Sequence, residues 1–266
     1  MNFMRSLSTS ALLAAWASTP LWADTTLTSS TQELMQKIPG RYLQYDMVAY
    51  TGKTSLGEMR TLTVSYGLTD LALKNNQLEI TTRLCFSEQK SNLPVKITIP
   101  DSFTQSIKPK PVFLTVKEDE KGVLFWRPES PTPVGIRLSD PNEPLPLNTT
   151  DPRISDDDAD GKPGVTANIA MGPLKGQMYM IRREVYAYEL RYFADGSLRG
   201  VIHDRSEEFT IGASNRLFNQ QTHMKQHANL NLSPVFMRPT TQEMDCATLK
   251  AKRNELLPPA PEVWKD

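Results

Sequence analysis

"QMYMIRREVYAYELRYFADGSLRGVIHDRSEEFTIG", residues 177–212, decides the fold class. Two segments rich in aromatic and β-branched residues flank Asp195-Gly196, a pair suited to the two positive φ angles of a type I′ hairpin turn. With those two residues at the tip, Tyr192 falls opposite Arg199, Tyr188 opposite His203 and Arg183 opposite Glu208. Aromatic–cation and opposite-charge pairs are favoured cross-strand neighbours, so this register is internally consistent. Tyr186, Tyr188, Leu190 and Tyr192 then share one face of the strand. That face is either half of a packed core or the aromatic wall of a ligand cavity, which makes Tyr186, Tyr188 and Tyr192 candidate ligand-binding residues.

Upstream, the same idiom repeats. "RYLQYDMVAY" (41–50), "MRTLTVSY" (59–66), "QLEITTRLCF" (77–86), "VKITI" (95–99), "PVFLTV" (111–116) and "GVLFW" (122–126) read as strands separated by turn residues. No long helix is expected between Arg41 and Trp126. Residues 128–152 carry seven prolines, which remove ladder donors and mark a long connection. Ser30-Thr31-Gln32-Glu33 is a capping box for a short helix stopped by Pro39-Gly40. Thr240-Thr241-Gln242-Glu243 is a second one, opening a stretch to Leu257 with Cys246, Leu249, Arg253 and Leu256 on one face. The expected architecture is all-β, an antiparallel barrel or strongly curved sheet, with short N-terminal and C-terminal helices. Residues 24–257 form one domain containing the proline-rich connection and an acidic loop at 151–164, and 258–266 is an extended tail.

The first 23 residues read as a cleaved secretory signal, with Arg5 before the apolar stretch Ala11–Ala17 and processing after Ala23. A periplasmic or secreted location follows, with no transmembrane segment in the mature chain. Lysine plus arginine and aspartate plus glutamate both number 30, so no global field favours nucleic acid. In an exported chain the two cysteines, Cys85 and Cys246, read as one disulfide; two free thiols are the competing reading.

"SDDDADGKPGVT", residues 155–166, places Asp156, Asp158 and Asp160 at alternate positions and closes them with Gly161. Several oxygens converging from one tightly turned segment suit a hard cation. Lys162 would offer its carbonyl, and Asp151, Asp157 or Asn168, another carbonyl or a distant residue a further oxygen. Calcium is the expected cofactor, in a structural role, and a solvated acidic turn is the alternative. His223-x-x-x-His227 has the spacing of a helical metal pair but lies in a segment with no helical face.

The acidic run resembles EF-hand and thrombospondin type 3 calcium loops. Ala167 stands where an EF-hand has its bidentate Glu, so the resemblance implies a cation loop without a sensor helix pair. The Asp-x-Asp-x-Asp-Gly-x-Pro-Gly-Val-Thr run, the signal and the late cysteine are also similar to a group of uncharacterised exported bacterial proteins, which implies an envelope location. Gly40-Arg41-Tyr42 after a short helix, with a C-terminal helix and a strand-to-C-terminus disulfide, is similar to lipocalins. That likeness implies a barrel whose mouth holds a small apolar ligand. A binding protein is therefore the first functional expectation. A structural or protein-interaction module of the envelope and a hydrolase with no nominated catalytic group are the alternatives.

Overall fold

The computed structural model describes residues 27–54 and 57–265; the expected signal segment lies outside them. The strands are β1 (Gly40–Thr54), β2 (Gly57–Lys74), β3 (Gln77–Ser91), β4 (Lys96–Thr98), β5 (Val112–Phe113), β6 (Thr115–Asp119), β7 (Gly122–Arg127) and β8 (Thr132–Val134). They continue as β9 (Val165–Met171), β10 (Leu174–Glu184), β11 (Tyr186–Tyr192), β12 (Leu198–Asp204), β13 (Glu207–Ala213), β14 (Lys225–Gln226) and β15 (Pro234–Thr240). Three α-helices accompany them: α1 (Ser29–Lys37), α2 (Asp101–Ser106) and α3 (Cys246–Leu256).

The larger sheet runs β5-β3-β2-β1-β15-β12-β11-β7-β6. Its two ends belong to one stretch of chain. Residues 112–113 pair with β3, and after Leu114 the same stretch pairs with β7 over 115–119. The Leu114 amide still donates to Leu78, so one strand bridges both edges and the sheet curls into a barrel-like tube. Curling removes the exposed edges that an open sheet of this width would present. Tyr42, Leu71, Leu78, Ile80, Phe125, Leu190, Leu198 and Met237 fill one end of the interior, together with Met35 of α1 and Ile38 just after it. Phe125 and Leu190 have no exposed surface; burying such a side chain contributes ~1.5–3 kcal/mol.

β1 and β2 are buried on both faces. Outward-facing Leu43, Tyr45 and Met47, with Leu62, Val64 and Tyr66, pack beneath α3 and the tail through Leu249, Leu257 and Trp264. β3 carries a bulge: Tyr66 pairs with Phe86 and Gly67 with Leu84, leaving Cys85 as the extra residue. The bulge reverses the alternation, so Leu84 points into the barrel while Phe86 joins the outer layer. Gly67 is required opposite it, because a Cβ there would come within 2.7 Å of the Arg83 carbonyl. Cys85 faces outward and is joined to Cys246 at the start of α3. The α3 cap is Asp245, whose side chain accepts from the Thr248 amide, and Thr240 ends β15 instead of starting a helix.

The hairpin of residues 177–212 is present, and its register is one residue away from the expected one. Tyr192 pairs with Leu198, Tyr188 with Ile202 and Arg183 with Glu207. The tip is a three-residue loop, Ala194-Asp195-Gly196, closed by hydrogen bonds between Phe193 and Ser197 and between Gly196 and Phe193. Only Gly196 has positive φ (82°), which is the type I turn plus αL glycine arrangement. The type I′ turn lies elsewhere, at Asn75-Asn76, with φ of 50° and 62°. Each arm of the long hairpin also changes sheets: β11 and β12 belong to the barrel, whereas β10 and β13 join the smaller sheet β13-β10-β9-β4. The changeover is at Val185 and Ser206, where Ser206 Oγ accepts from the Val185 amide at 3.0 Å. Within the proline-rich connection, Thr132–Val134 adds the short strand β8 against β10.

Candidate functional site

The smaller sheet does not seal the barrel mouth. Between them lies a cavity of about 310 Å³. β1, β2 and β3 supply one wall, including Val48, Met59 and Leu84, and β9 and β10 the other, including Ile169, Met178 and Met180. Phe103 of α2 and Phe218 of the 216–218 turn also line it. Five methionines (Met59, Met171, Met178, Met180, Met224) are in this lining; unbranched thioethers adapt to varied apolar shapes. The hydroxyl face of "TLTVSY", Thr61, Thr63 and Ser65, also points here, because the apolar face of β2 is spent on α3.

The cavity has a polar floor. Gln44 Nε2 donates to Asp46 Oδ2 at 2.7 Å, and Tyr188 Oη donates to the same oxygen at 3.1 Å. Thr69 donates to Gln44 Oε1, fixing the amide orientation. Asp46 is only 4% exposed, and burial pushes its carboxyl up to about 6 against those two hydrogen bonds, with Asp204 and Glu184 adding repulsion. Tyr50 Oη donates to Asp204 Oδ2 at 2.8 Å, and burial likewise raises the Asp204 carboxyl and the Tyr50 phenol. Arg182 is held between Glu184 and Glu208. Tyr186 lies under the Arg127 guanidinium, 4.2 Å from its ring centre.

Of the three candidate tyrosines, Tyr186 and Tyr188 therefore line the cavity. Tyr192, at the other end of β11, packs against the filled end of the barrel beneath Lys37. The remaining floor residues come from β1, β2, β7, β10, β12 and β13, far apart in sequence, and no local motif announced them.

The acidic loop lies on the other side of the smaller sheet. One carboxylate oxygen from each of Asp156, Asp158 and Asp160 falls within 4.8 Å of the others. Asp156 accepts from the amides of Asp160 and Gly161, and the Lys162 amide donates to Asp160. These bonds fold the loop, with Ala159 and Gly161 at positive φ (58° and 80°). Asp158 is 8% exposed; its Oδ2 accepts from the Thr166 amide, while its buried Oδ1 has no donor. Burial and the neighbouring Asp160 and Asp156 raise its carboxyl above the usual carboxylate range. Asp151 is turned instead to Arg153, which bonds both its oxygens, and Asn168 is exposed on β9 beside Gln177. Asp157 anchors the loop through the Gly135 amide and Arg137.

His223 and His227 are not on a helix; β14 lies between them, and His227 packs edge-on against Trp264. Among the described residues no helix is long and apolar enough to cross a membrane. No family model, curated protein or solved structure matches the chain.

Proposed function

We propose that this chain is an exported binding protein of the cell envelope that holds a small apolar or amphiphilic molecule between its barrel mouth and its smaller sheet. The observation that carries this reading is the cavity, of about 310 Å³, with methionine-rich apolar walls and a hydrogen-bonded polar end. Ligand sites combine this volume range with mostly apolar walls and few polar groups. Tyr186 and Tyr188 stand at the junction of wall and floor. Titration with N-phenylnaphthylamine, a neutral fluorophore that brightens in apolar surroundings, is the test. A saturable rise with one site per chain is expected; no rise beyond the buffer blank would overturn the reading.

The acidic loop completes the proposal as a structural calcium site formed by Asp156, Asp158 and Asp160. The buried, donorless Asp158 Oδ1 supports it, since an unsatisfied carboxylate oxygen beside two further carboxylates is costly without a cation. The ion would brace the proline-rich connection against β9. Three carboxylates without a bidentate ligand suit a Kd of roughly 10⁻⁴–10⁻³ M. Calcium at about ten to a hundred times that Kd stabilises by about 1–3 kcal/mol. The melting temperature is expected to rise by a few degrees with calcium, and Asp158→Asn, which keeps the bond to Thr166, is expected to lose the rise. Equal responses in both proteins would remove the site.

A further inference from the structure

Resting on the cavity reading above, we infer that the ligand is an amphiphile whose polar end is cationic, an amine or its equivalent, and that Asp46 and Asp204 receive it. Four carboxylates line the cavity (Asp46, Glu184, Asp204, Glu208), against one guanidinium, Arg182. Arg182 is committed to Glu184 and Glu208. The hydrogen-bond partners of Asp46 and Asp204 are neutral, Gln44 and Tyr188 for the first and Tyr50 and Ser206 for the second, and Arg182 acts on Asp204 only through space. Among the described residues neither carboxylate has an ion-pair partner. Both donors to Asp46 reach Oδ2, and among the described residues no side-chain donor reaches Oδ1.

A second feature marks a place for a polar atom without choosing its charge, beside Tyr50 in the β1–β2 ladder. Thr61 Oγ1 is buried, lines the cavity and has no hydrogen-bond partner. A hydroxyl left so is costly in apolar surroundings and marks a place for a ligand's polar atom. An ammonium offers three donors and one positive charge, which suits acceptors on several sides of it. A carboxylate or phosphate head would meet like charge in a lining whose one guanidinium, Arg182, is already paired, while Arg127 lies behind the Tyr186 ring on the Pro128 and Tyr186 carbonyls; like-charge juxtaposition in a desolvated site is strongly unfavourable.

The experiment is displacement of N-phenylnaphthylamine at pH 8, where Asp46 is ionised, by decylamine, decanol and decanoate on the full chain. Decylamine is expected to compete at a concentration at least tenfold below decanoate, with decanol between them. Asp46→Asn, Asp204→Asn and their combination are expected to bring that ratio to within about threefold, each competitor being scored against the fluorophore affinity of the same variant. Decanoate competing as well as decylamine, or a ratio unchanged in the double variant, would overturn the inference while the fluorophore still bound. Absence of fluorophore binding would instead take down the cavity reading on which it rests. Melting temperatures of the variants, taken without fluorophore, certify that they fold.

Discussion

Replacing Cys85 and Cys246 together by alanine is expected to lower the melting temperature by roughly 5–20 °C, on a stability loss of about 2–5 kcal/mol and ~2–4 °C per kcal/mol for a domain of this size. The bond spans 161 residues, so its absence frees an unusually long loop in the unfolded chain. In the folded chain it fixes the first residue of α3, whose Leu249, with Leu257 and Trp264 just beyond the helix, covers the outer face of β1 and β2. Cys85 has no exposed surface and occupies a bulge, so alanine keeps the apolar contact and isolates the effect of the crosslink. Thermal melts of the variant and of wild type with and without reductant check it. Trypsin should cut the variant first at Lys250, Lys252 or Arg253, because α3 becomes the least anchored element. A melting temperature unchanged in the double variant would mean that α3 holds by packing alone.

The strands that build the barrel were legible because each carries its own period-two pattern, and Gly122–Arg127 or Tyr186–Tyr192 needs no distant partner to be recognised. Register was not. Asp195-Gly196 is compatible with two loop lengths, and the type I turn with an αL glycine shifts every pair by one, so Arg183 meets Glu207 and not Glu208. The Cys85 bulge left no local signal, yet it decides that Leu84 lines the cavity and Phe86 the outer layer. "TLTVSY" is the most instructive case. Alternation shows that Thr61, Thr63 and Ser65 share a face, but not that this hydroxyl face looks into a cavity while α3 covers the other. The acidic triad could be read directly because its three carboxylates are neighbours in sequence. Asp46, Arg182 and Asp204 could not, since only the closed barrel and the sheet change at Val185 bring them together. The C-terminal helix was placed correctly but started too early, because Thr240 is still held in the ladder with Arg41.

The second large effect concerns the cavity itself. Thr63 projects into it from β2 and Ala167, 3% exposed, from β9 in the facing sheet. A phenyl ring at either position occupies space that a ligand needs, and it does so from opposite walls. At Thr63, which is only partly buried, apolar burial offsets local crowding; Ala167 is packed with Phe103, Val165 and Met180, so a ring there also costs the fold about 1–3 kcal/mol. The main loss should still fall on binding: each 1.4 kcal/mol of steric exclusion weakens affinity about tenfold. The most direct measurement is N-phenylnaphthylamine titration of wild type, Thr63→Phe and Ala167→Phe, with melting temperatures taken alongside. Saturable binding to wild type is expected, with affinity at least about tenfold weaker in both variants, a melting temperature within a few degrees of wild type for Thr63→Phe and one lowered by no more than about 10 °C for Ala167→Phe. Undiminished affinity in both correctly folded variants would contradict it, placing the bound molecule somewhere other than between the barrel mouth and the smaller sheet.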